Sequence, residues 1–243
     1  MMKLRIAAAA AMLAVTGAAL GGNVSATVGL VSDYDFRGIT QSRNDPAFQM
    51  GMTYTGDSGI YYGLWGSTVD FQGSASGATD YNSDIDRPST EIDIFEGFSS
   101  TWAWAKMGYD LGVIYYTYPN AGHNNYPEAY AGITKGPLSL KLWYSWDFAN
   151  TNESGVYTEA NLAVPLSDGF KFLGHAGYTD ASGWSSVGNY FDWAAGFSYD
   201  TNNFTLSLKY VDGSDLKVPA SARAPQNLGR FIFGVSTTLP FGK

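Results

Sequence analysis

Hydrophobic and polar residues alternate with a period of two along most of the chain. The clearest run is residues 138–148, where leucine, tyrosine, tryptophan and phenylalanine occupy the even positions. Serine, lysine, tryptophan and aspartate occupy the odd positions between them. A period of two places successive side chains on opposite faces of a β-strand. Because the run is about as long as a tilted membrane-spanning strand, it predicts a strand with one apolar and one polar face.

Similar alternation in eleven further segments predicts an all-β protein of about twelve strands, with ten or fourteen as the alternatives. The segments 59–71 and 90–99 alternate less cleanly than the others. In 90–99, Glu96 shares a face with Ile92 and Ile94. The predicted strands lie near 27–38, 47–55, 59–71, 90–99, 102–117, 127–135, 138–148, 156–165, 170–179, 190–200, 203–211 and 229–241.

The connections between these strands alternate between long and short. Long connections lie near 39–46, 72–89, 118–126, 149–155, 180–189 and 212–228, and short ones near 56–58, 100–101, 136–137, 166–169 and 201–202. Bacterial outer-membrane barrels have an even number of strands, short periplasmic turns and longer extracellular loops. A soluble β-sandwich has no reason to produce this order. The pattern therefore predicts a closed antiparallel transmembrane β-barrel with short periplasmic turns and long extracellular loops.

The first 26 residues have the pattern of a secretory signal peptide. Lys3 and Arg5 precede an apolar, alanine-rich stretch over 6–20, and small residues at 24–26 suit a cleavage site. The apolar stretch is short for a transmembrane helix. We therefore predict a signal peptide over 1–26 and a barrel domain over 27–243. Together they predict location in the outer membrane of a Gram-negative bacterium, where the wall contacts lipid.

Composition agrees with a lipid-facing barrel wall and excludes some partners. Aromatic residues make up 16% of the chain and charged residues 15%, whereas a soluble domain usually carries about a quarter charged residues. Without Lys3 and Arg5 the chain has 12 basic and 22 acidic residues, which argues against nucleic-acid binding. The chain has no cysteine, so disulfides and thiolate metal sites are excluded.

Charged residues of the predicted strands are expected to face the lumen, because a charge in the hydrocarbon region is costly. The eight acids outnumber the five bases, which predicts a mild preference for cations. The alternative is that opposite charges pair across the strands and plug a barrel of intermediate width. The predicted pore-lining residues are Asp33, Asp35, Arg37, Glu91, Asp93, Lys106, Glu128, Lys141, Asp147, Glu159, Lys171, His175, Asp192 and Lys209.

Candidate metal-binding and catalytic residues are few. Asp80, Asp84 and Asp86 supply oxygen ligands of the kind that Ca²⁺ prefers, but their spacing is not that of an EF-hand loop, and a solvated acidic loop is the favoured interpretation. His123 and His175 are the two histidines, and neither a nucleophile elbow nor a zinc-binding spacing is present. We therefore predict no enzyme activity, no cofactor and no bound metal.

Most tryptophans are interpreted as aromatics that face lipid or lie at the membrane interface. Trp143 is the exception, because its odd position in the 138–148 run turns it into the lumen. The residues assigned to the lipid-facing and interface set are Tyr34, Trp65, Trp102, Trp104 and Trp193.

Residues 31–42, with the sequence Val-Ser-Asp-Tyr-Asp-Phe-Arg-Gly-Ile-Thr-Gln-Ser, resemble the opening strand of the TorF-type family of proteobacterial proteins assigned as porins. Similar motifs occur at 91–95, 109–119 and 126–132, so the resemblance covers most of the mature chain. The alternating aromatic strand at 229–241 is also similar to the last strand of outer-membrane barrels. The resemblance implies an outer-membrane location and a channel role, without naming a solute.

Three functions follow from these observations. The favoured one is a narrow passive channel for small polar or charged solutes and ions. The second is a non-conducting barrel with a structural or adhesive role, suggested by long loops that are rich in Asp, Asn, Gly and Ser. The third, an outer-membrane hydrolase, is the least favoured, because a lipid hydrolase needs its histidine at the lipid-facing rim and His175 is predicted to face inward.

Overall fold

The computed structural model describes residues 22–70, 88–119, 121–181, 188–214 and 229–240. Strands make up most of these ranges, and two one-turn 3₁₀ helices lie in connections. The elements are β1 (Gly22–Val31), β2 (Asp35–Phe36), β3 (Ile39–Thr40), β4 (Ala47–Gly56), β5 (Ile60–Thr68), β6 (Thr90–Trp102), β7 (Met107–Thr117), η1 (Gly122–Asn124), β8 (Tyr126–Lys135), β9 (Leu138–Ser145), η2 (Phe148–Asn150), β10 (Gly155–Ser167), β11 (Phe170–Asp180), β12 (Tyr190–Thr201), β13 (Phe204–Ser214) and β14 (Arg230–Leu239).

Twelve of these strands close into one antiparallel barrel, which confirms the predicted fold. Their order around the ring is β1-β14-β13-β12-β11-β10-β9-β8-β7-β6-β5-β4. Strand β1 forms the seam: it pairs with β4 from Gly22↔Gly56 to Val31↔Ala47, and with β14 from Ala26↔Leu239 to Val31↔Gly234. Closure leaves no unpaired sheet edge, which is the condition for a sheet to exist in lipid. Within the described ranges, no helix has the length and apolar character needed to cross a membrane.

The two faces of the wall follow the period-two pattern of the sequence. On β9, Leu138, Leu140 and Leu142 are exposed on the outside. Lys141 and Trp143, which alternate with them, are partly buried on the inside. The same division holds on β12, where Phe197 is exposed and Asp192 is buried. The predicted apolar face is therefore the outer face of the barrel.

A buried cluster fills the barrel at the end that carries the long connections. Its members lie near or just beyond those strand ends, and the ring of Tyr126 stacks on that of Tyr116 with centroids 4.7 Å apart. The lumen is thus packed with side chains at this end. The buried cluster contains Tyr34, Ala47, Val69, Tyr116, Tyr118, Ala121, Tyr126, Phe148 and Ala181.

The first predicted strand, 27–38, is wrong at both ends. Strand β1 begins earlier, at Gly22, and it ends at Val31, where the chain leaves the wall and enters the lumen. Residues 22–26 lie within the predicted signal peptide, and here they extend the pairing with β4. Cleavage after residue 26 would remove five of the ten β1–β4 pairs but only the Ala26↔Leu239 pair with β14. The signal peptide itself stays a prediction.

Two further boundary errors move predicted pore-lining residues out of the lumen. The predicted strand 102–117 is divided by a turn, and Lys106 is exposed in that turn with a φ of 47°. The predicted strand 138–148 ends at Ser145, so Asp147 lies in the following connection. There its carboxylate accepts a hydrogen bond from the Asn152 amide at 2.7 Å, which holds a turn. Asp80, Asp84 and Asp86 lie outside the described residues.

Inward tyrosine rings cover glycines on neighbouring strands. A Cβ added to Gly97 would lie 2.5 Å from Cζ of Tyr61, and one added to Gly112 would lie 2.5 Å from Cζ of Tyr130. Real Cβ atoms do not approach other heavy atoms so closely, so the tyrosines could not keep these positions. The inner glycines therefore make room for the aromatic rings that narrow the lumen.

We expect Gly112→Ala to lower the free energy of unfolding by about 1–3 kcal/mol, because the added methyl overpacks the contact with Tyr130. Gly108→Ala is the matched control on the same strand and face, since its Cβ would meet only ordinary contacts, the nearest at 3.8 Å. Urea unfolding of both variants in detergent, followed by tryptophan fluorescence, measures the difference. Equal losses in the two variants would contradict the packing argument.

Candidate functional site

A hairpin inside the barrel is the first part of the candidate site. Residues 32–46, here called the plug hairpin, connect β1 to β4 and contain the short strands β2 and β3. These strands pair only with each other, through Asp35↔Thr40 and Phe36↔Ile39. At the tip, Arg37 has a φ of 53° and Gly38 a φ of 80°. Two consecutive positive φ angles are typical of a tight hairpin turn.

Asp33 holds the base of the plug hairpin together. Its carboxylate is buried and accepts hydrogen bonds from the Thr40 hydroxyl, from the Ser42 hydroxyl at 3.0 Å and from the Asn44 amide at 3.1 Å. The Ser42 hydroxyl oxygen in turn accepts a bond from the Tyr34 amide at 2.9 Å. These hydrogen bonds all join residues of the plug hairpin to one another, so they stabilise its conformation locally.

A buried ion pair fixes the tip to one side of the barrel. Arg37 donates from Nη1 to Oε1 of Glu128 at 3.0 Å and from Nη2 to Oε2 at 2.6 Å. The two side chains are 5% and 1% exposed, so both charges are desolvated. The Tyr116 hydroxyl donates to the same carboxylate at 3.1 Å, and the Arg37 guanidinium lies 4.3 Å from the ring centroid of Tyr157. This bidentate geometry is the strong form of an Arg–carboxylate contact.

Arg230, at the start of β14, fixes the plug hairpin on another side. Its guanidinium donates to the carboxylates of Asp33 and Asp35, and to the Gly38 carbonyl oxygen at 3.2 Å. Burial raises the pKa of the Asp35 carboxyl above its usual value, although the nearby Arg230 charge acts in the opposite direction. The Arg230 guanidinium therefore favours the charged form of Asp35 against the effect of burial.

The inner wall next to the plug hairpin is acidic. Glu91 and Asp93 on β6 are buried, and Glu91 accepts a hydrogen bond from the Tyr34 hydroxyl at 2.8 Å. Oδ1 of Asp93 has no hydrogen-bond partner among the described residues. A buried carboxylate oxygen without a partner is costly. The packed end of the lumen thus holds a buried acidic side chain whose hydrogen bonds are incomplete among the described residues.

A cavity of about 710 Å³ lies below the tip of the plug hairpin. The tip residues Asp35, Phe36 and Arg37 line one end of it, and Gly136 and Pro137 of the short β8–β9 turn line the other. The cavity therefore reaches toward the end that carries the short turns. Its walls also include Trp143, Tyr157, Glu159, Asn161, Leu173, His175, Lys209 and Val211.

A polar network links four neighbouring strands, β9 to β12, along this cavity. Glu159 accepts hydrogen bonds from Nε1 of Trp143 and from Nδ2 of Asn161, both at 2.8 Å. Because the Asn161 amide donates to Glu159, its oxygen faces Nδ1 of His175, 2.7 Å away. Nε2 of His175 lies 2.8 Å from Oδ1 of Asp192. The inner wall is polar here, and its side chains bind mostly one another.

A second charged contact lies on another part of the wall. Lys141 donates to Oδ2 of Asp110 at 3.0 Å, and the Tyr61 hydroxyl donates to Oδ1 of the same carboxylate. Asp110 and Arg230 were both missed as inward residues. The period-two pattern could have identified both. Leu111 follows Asp110 and Phe231 follows Arg230, and because these two apolar residues face outward, the charged neighbours face the lumen.

The structure places most of the predicted pore-lining residues inside the barrel. Lys106 and Asp147 are the exceptions described above. Lys171 lies at the short-turn rim, where it pairs with Asp200 at 2.6 Å while about 42% of its side chain is exposed. The residues found on the inner face or on the plug hairpin are Asp33, Asp35, Arg37, Glu91, Asp93, Glu128, Lys141, Glu159, His175, Asp192 and Lys209. Their role as a pore lining stays a prediction.

Two aromatic assignments are wrong. Tyr34 and Trp65 were predicted to face lipid or its interface, but Tyr34 is buried on the plug hairpin and its ring centroid lies 5.4 Å from that of Trp65. The chain turns inward before Tyr34, and Trp65 shares the inner face of β5 with Ser67. Trp143 faces the lumen as predicted. Trp102, Trp104 and Trp193 are exposed, in keeping with a lipid or interface position.

These features define a class of protein: a closed twelve-stranded antiparallel barrel with an apolar outer face, a charged lumen and an inserted hairpin. The chain belongs to the Gcw_chp family, described as bacterial proteins of unknown function, whose model matches residues 15–239. No curated protein sequence is significantly similar to it.

Solved outer-membrane porins share the fold. A KdgM porin structure is 9% identical and covers 88% of this chain and 98% of its own, with a TM-score of 0.51. A NanC porin structure is also 9% identical and covers 89% and 98%, with a TM-score of 0.53. At this level of identity the similarity shows the fold alone.

The Arg37–Glu128 pair is expected to contribute to stability in a way that an exposed pair does not. Arg37→Met leaves a buried carboxylate without its partner and should lower the free energy of unfolding by about 3–5 kcal/mol. The double variant Arg37→Met/Glu128→Gln should recover part of that loss. Urea unfolding in detergent gives the values for each variant.

Lys171→Met is the control for this prediction, because the Lys171–Asp200 pair is largely exposed and should contribute less than about 1 kcal/mol. A loss in Arg37→Met no larger than that in Lys171→Met would show that the buried pair has no special role.

Proposed function

We propose that the protein is an outer-membrane channel that allows passive passage of small polar or charged solutes. The observation that carries this proposal is a cavity of about 710 Å³, lined by both charged and apolar side chains, inside a closed barrel whose outer face is apolar. An apolar outer face is stable when it contacts lipid, and the charged side chains inside the barrel are unsuited to a hydrophobic core. The short-turn end of the cavity would then face the periplasm.

The charges of the lumen favour cations. Eight acids face inward among the described residues, against four bases and His175. A narrow lumen with excess negative charge attracts cations and repels anions. The acids are Asp33, Asp35, Glu91, Asp93, Asp110, Glu128, Glu159 and Asp192, and the bases are Arg37, Lys141, Lys209 and Arg230.

Two similarities support the channel role. The KdgM and NanC porins have the same barrel fold, and one KdgM porin structure is described as a complex with disordered oligogalacturonate. The motif at 31–42 resembles the TorF-type family assigned as porins. The secretory signal over 1–26 agrees with export to the outer membrane.

The direct test is conductance of the purified, refolded protein in a planar lipid bilayer. We expect discrete current steps, and a reversal potential in a salt gradient that shows a preference for cations. A protein that migrates as a folded barrel in a heat-dependent gel shift but never conducts would contradict the channel proposal.

A charge substitution in the cavity should change this selectivity. Lys209 lines the cavity, so Lys209→Gln should raise the cation-to-anion permeability ratio by roughly twofold. Lys106→Gln makes the same charge change in an exposed turn at the short-turn end and should leave the ratio unchanged. Reversal potentials of both variants give the comparison. Equal shifts would mean that Lys209 does not face the conducting path.

A non-conducting structural or adhesive barrel is the second candidate. The observation that favours it is the buried plug hairpin, whose tip is tied to the wall by Arg37–Glu128 and Arg230–Asp35. Such a barrel would show no current steps in the planar bilayer at any applied voltage. The hydrolase is supported less, because both nitrogens of His175 have partners within the lumen, away from the lipid-facing rim.

A further inference from the structure

We propose that the plug hairpin is a gate. In this structure residues 32–46 fill the long-loop half of the lumen together with the buried cluster, and conduction requires the tip, residues 35–40, to leave its seat and open the cavity toward the long-loop end. This inference rests on the proposed channel function and adds to it a moving element, a closed state and the contacts that hold that state.

The first argument is that the tip spans the lumen. Arg37 binds Glu128 on β8, and the opposite edge of the hairpin is bound by Arg230 on β14. In the order of the ring, β8 and β14 are separated by six of twelve positions, so they stand on opposite sides of the barrel. A solute moving along the axis meets the hairpin in the middle of its path.

A third contact completes the seat. A Cβ added to Gly38 would lie 2.7 Å from Cβ of Asp192 on β12, so the tip backbone rests directly against that wall. The ring of Phe36 packs on Tyr116 of β7, with centroids 5.8 Å apart. The tip therefore contacts four wall strands, β7, β8, β12 and β14.

The second argument is that the plug hairpin is not built into the wall. Its two short strands form their own sheet, and residues 35–40 are held by side-chain contacts to the barrel. The base is anchored by backbone bonds, from the Ser32 amide to the Phe233 carbonyl oxygen at 2.8 Å and from the Asp70 amide to the Gln41 carbonyl oxygen at 2.8 Å. The base is thus a fixed pivot, and the bonds of Asp33 keep the hairpin intact as its tip moves.

The third argument concerns the type of contact. A permanent plug is best made of apolar packing, because buried ion pairs recover little more than the desolvation cost of their charges. When the tip leaves, Arg37 and Glu128 both return to water and regain that solvation. Ionic contacts therefore hold the closed state at a low net energy and make release accessible. The vacated wall would present Glu128 beside Glu91 and Asp93, a lining suited to cations.

The test uses a release variant and a lock variant in the bilayer assay. Arg37→Gln/Arg230→Gln removes both ionic contacts of the tip together with the Arg230–Asp33 contact, while the backbone bonds of the base remain. We expect the open probability to rise about tenfold or more, as for loss of charge-assisted hydrogen bonds. Arg43→Gln is the matched control. It also replaces an arginine of the plug hairpin with glutamine, but Arg43 pairs with Asp70 at the surface. It should conduct like the unmodified protein.

The lock variant exploits the absence of cysteine from the chain. Gly38→Cys/Asp192→Cys places two thiols at the seat of the tip, where a shift of about 1 Å brings them to disulfide geometry. Under oxidising conditions we expect no current, and dithiothreitol should restore it. The single variants Gly38→Cys and Asp192→Cys should not respond to the reductant.

Each result decides between the two proposals, provided that the heat-dependent gel shift shows a folded barrel. Opening in the release variant with reversible silence in the lock variant supports the gate. Conduction that neither variant changes overturns the gate and leaves the channel in place. Silence in the unmodified protein, the release variant and the reduced lock variant overturns the channel and the gate together. If the thiols do not crosslink, the release variant alone decides.

Discussion

The structure depends on one constraint, which is that every backbone amide and carbonyl of a sheet in lipid must be paired. Twelve strands satisfy it by closing at β1, whose residues bond to β4 on one side and β14 on the other. Closure fixes which face of each strand meets lipid, and the period-two pattern then sends the charged side chains inward. The wall, the apolar belt and the charged lumen are consequences of that one requirement.

A lumen of this width forces its charged groups to find one another. Side chains fill an eight-stranded barrel, and a sixteen-stranded porin holds water, so twelve strands leave room for both. In this barrel the packed region and the cavity follow one another along the barrel axis. The plug hairpin and its ion pairs fill one half, and a cavity occupies the other. The inner glycines under Tyr61 and Tyr130 contribute to this packing, because they leave space for large tyrosine side chains inside a narrow barrel.

Local pattern predicted the barrel because lipid exposure acts on each strand separately. It failed at residues 32–46, where Tyr34 and Phe36 continue the alternation although the chain has left the wall. Departure from the wall is decided by distant partners: Arg37 and Glu128 are 91 residues apart, and Arg230 and Asp33 are 197 apart. No period carries such information. Lys106 and Asp147 failed for a simpler reason, since a turn ends each strand earlier than its pattern does.

The energetics of buried charge connect the plug to function. A bidentate pair with both partners nearly unexposed gains little over apolar residues of the same shape. The Asp93 oxygen that has no hydrogen-bond partner in the described part of the chain is a direct cost. A barrel selected for stability alone would replace these groups with packed hydrophobic side chains. Their presence at the packed end of the lumen is physically reasonable when water and ions reach them in a second, open arrangement. In the closed arrangement these charged groups are paired with one another, and in the proposed open arrangement they would contact water and ions.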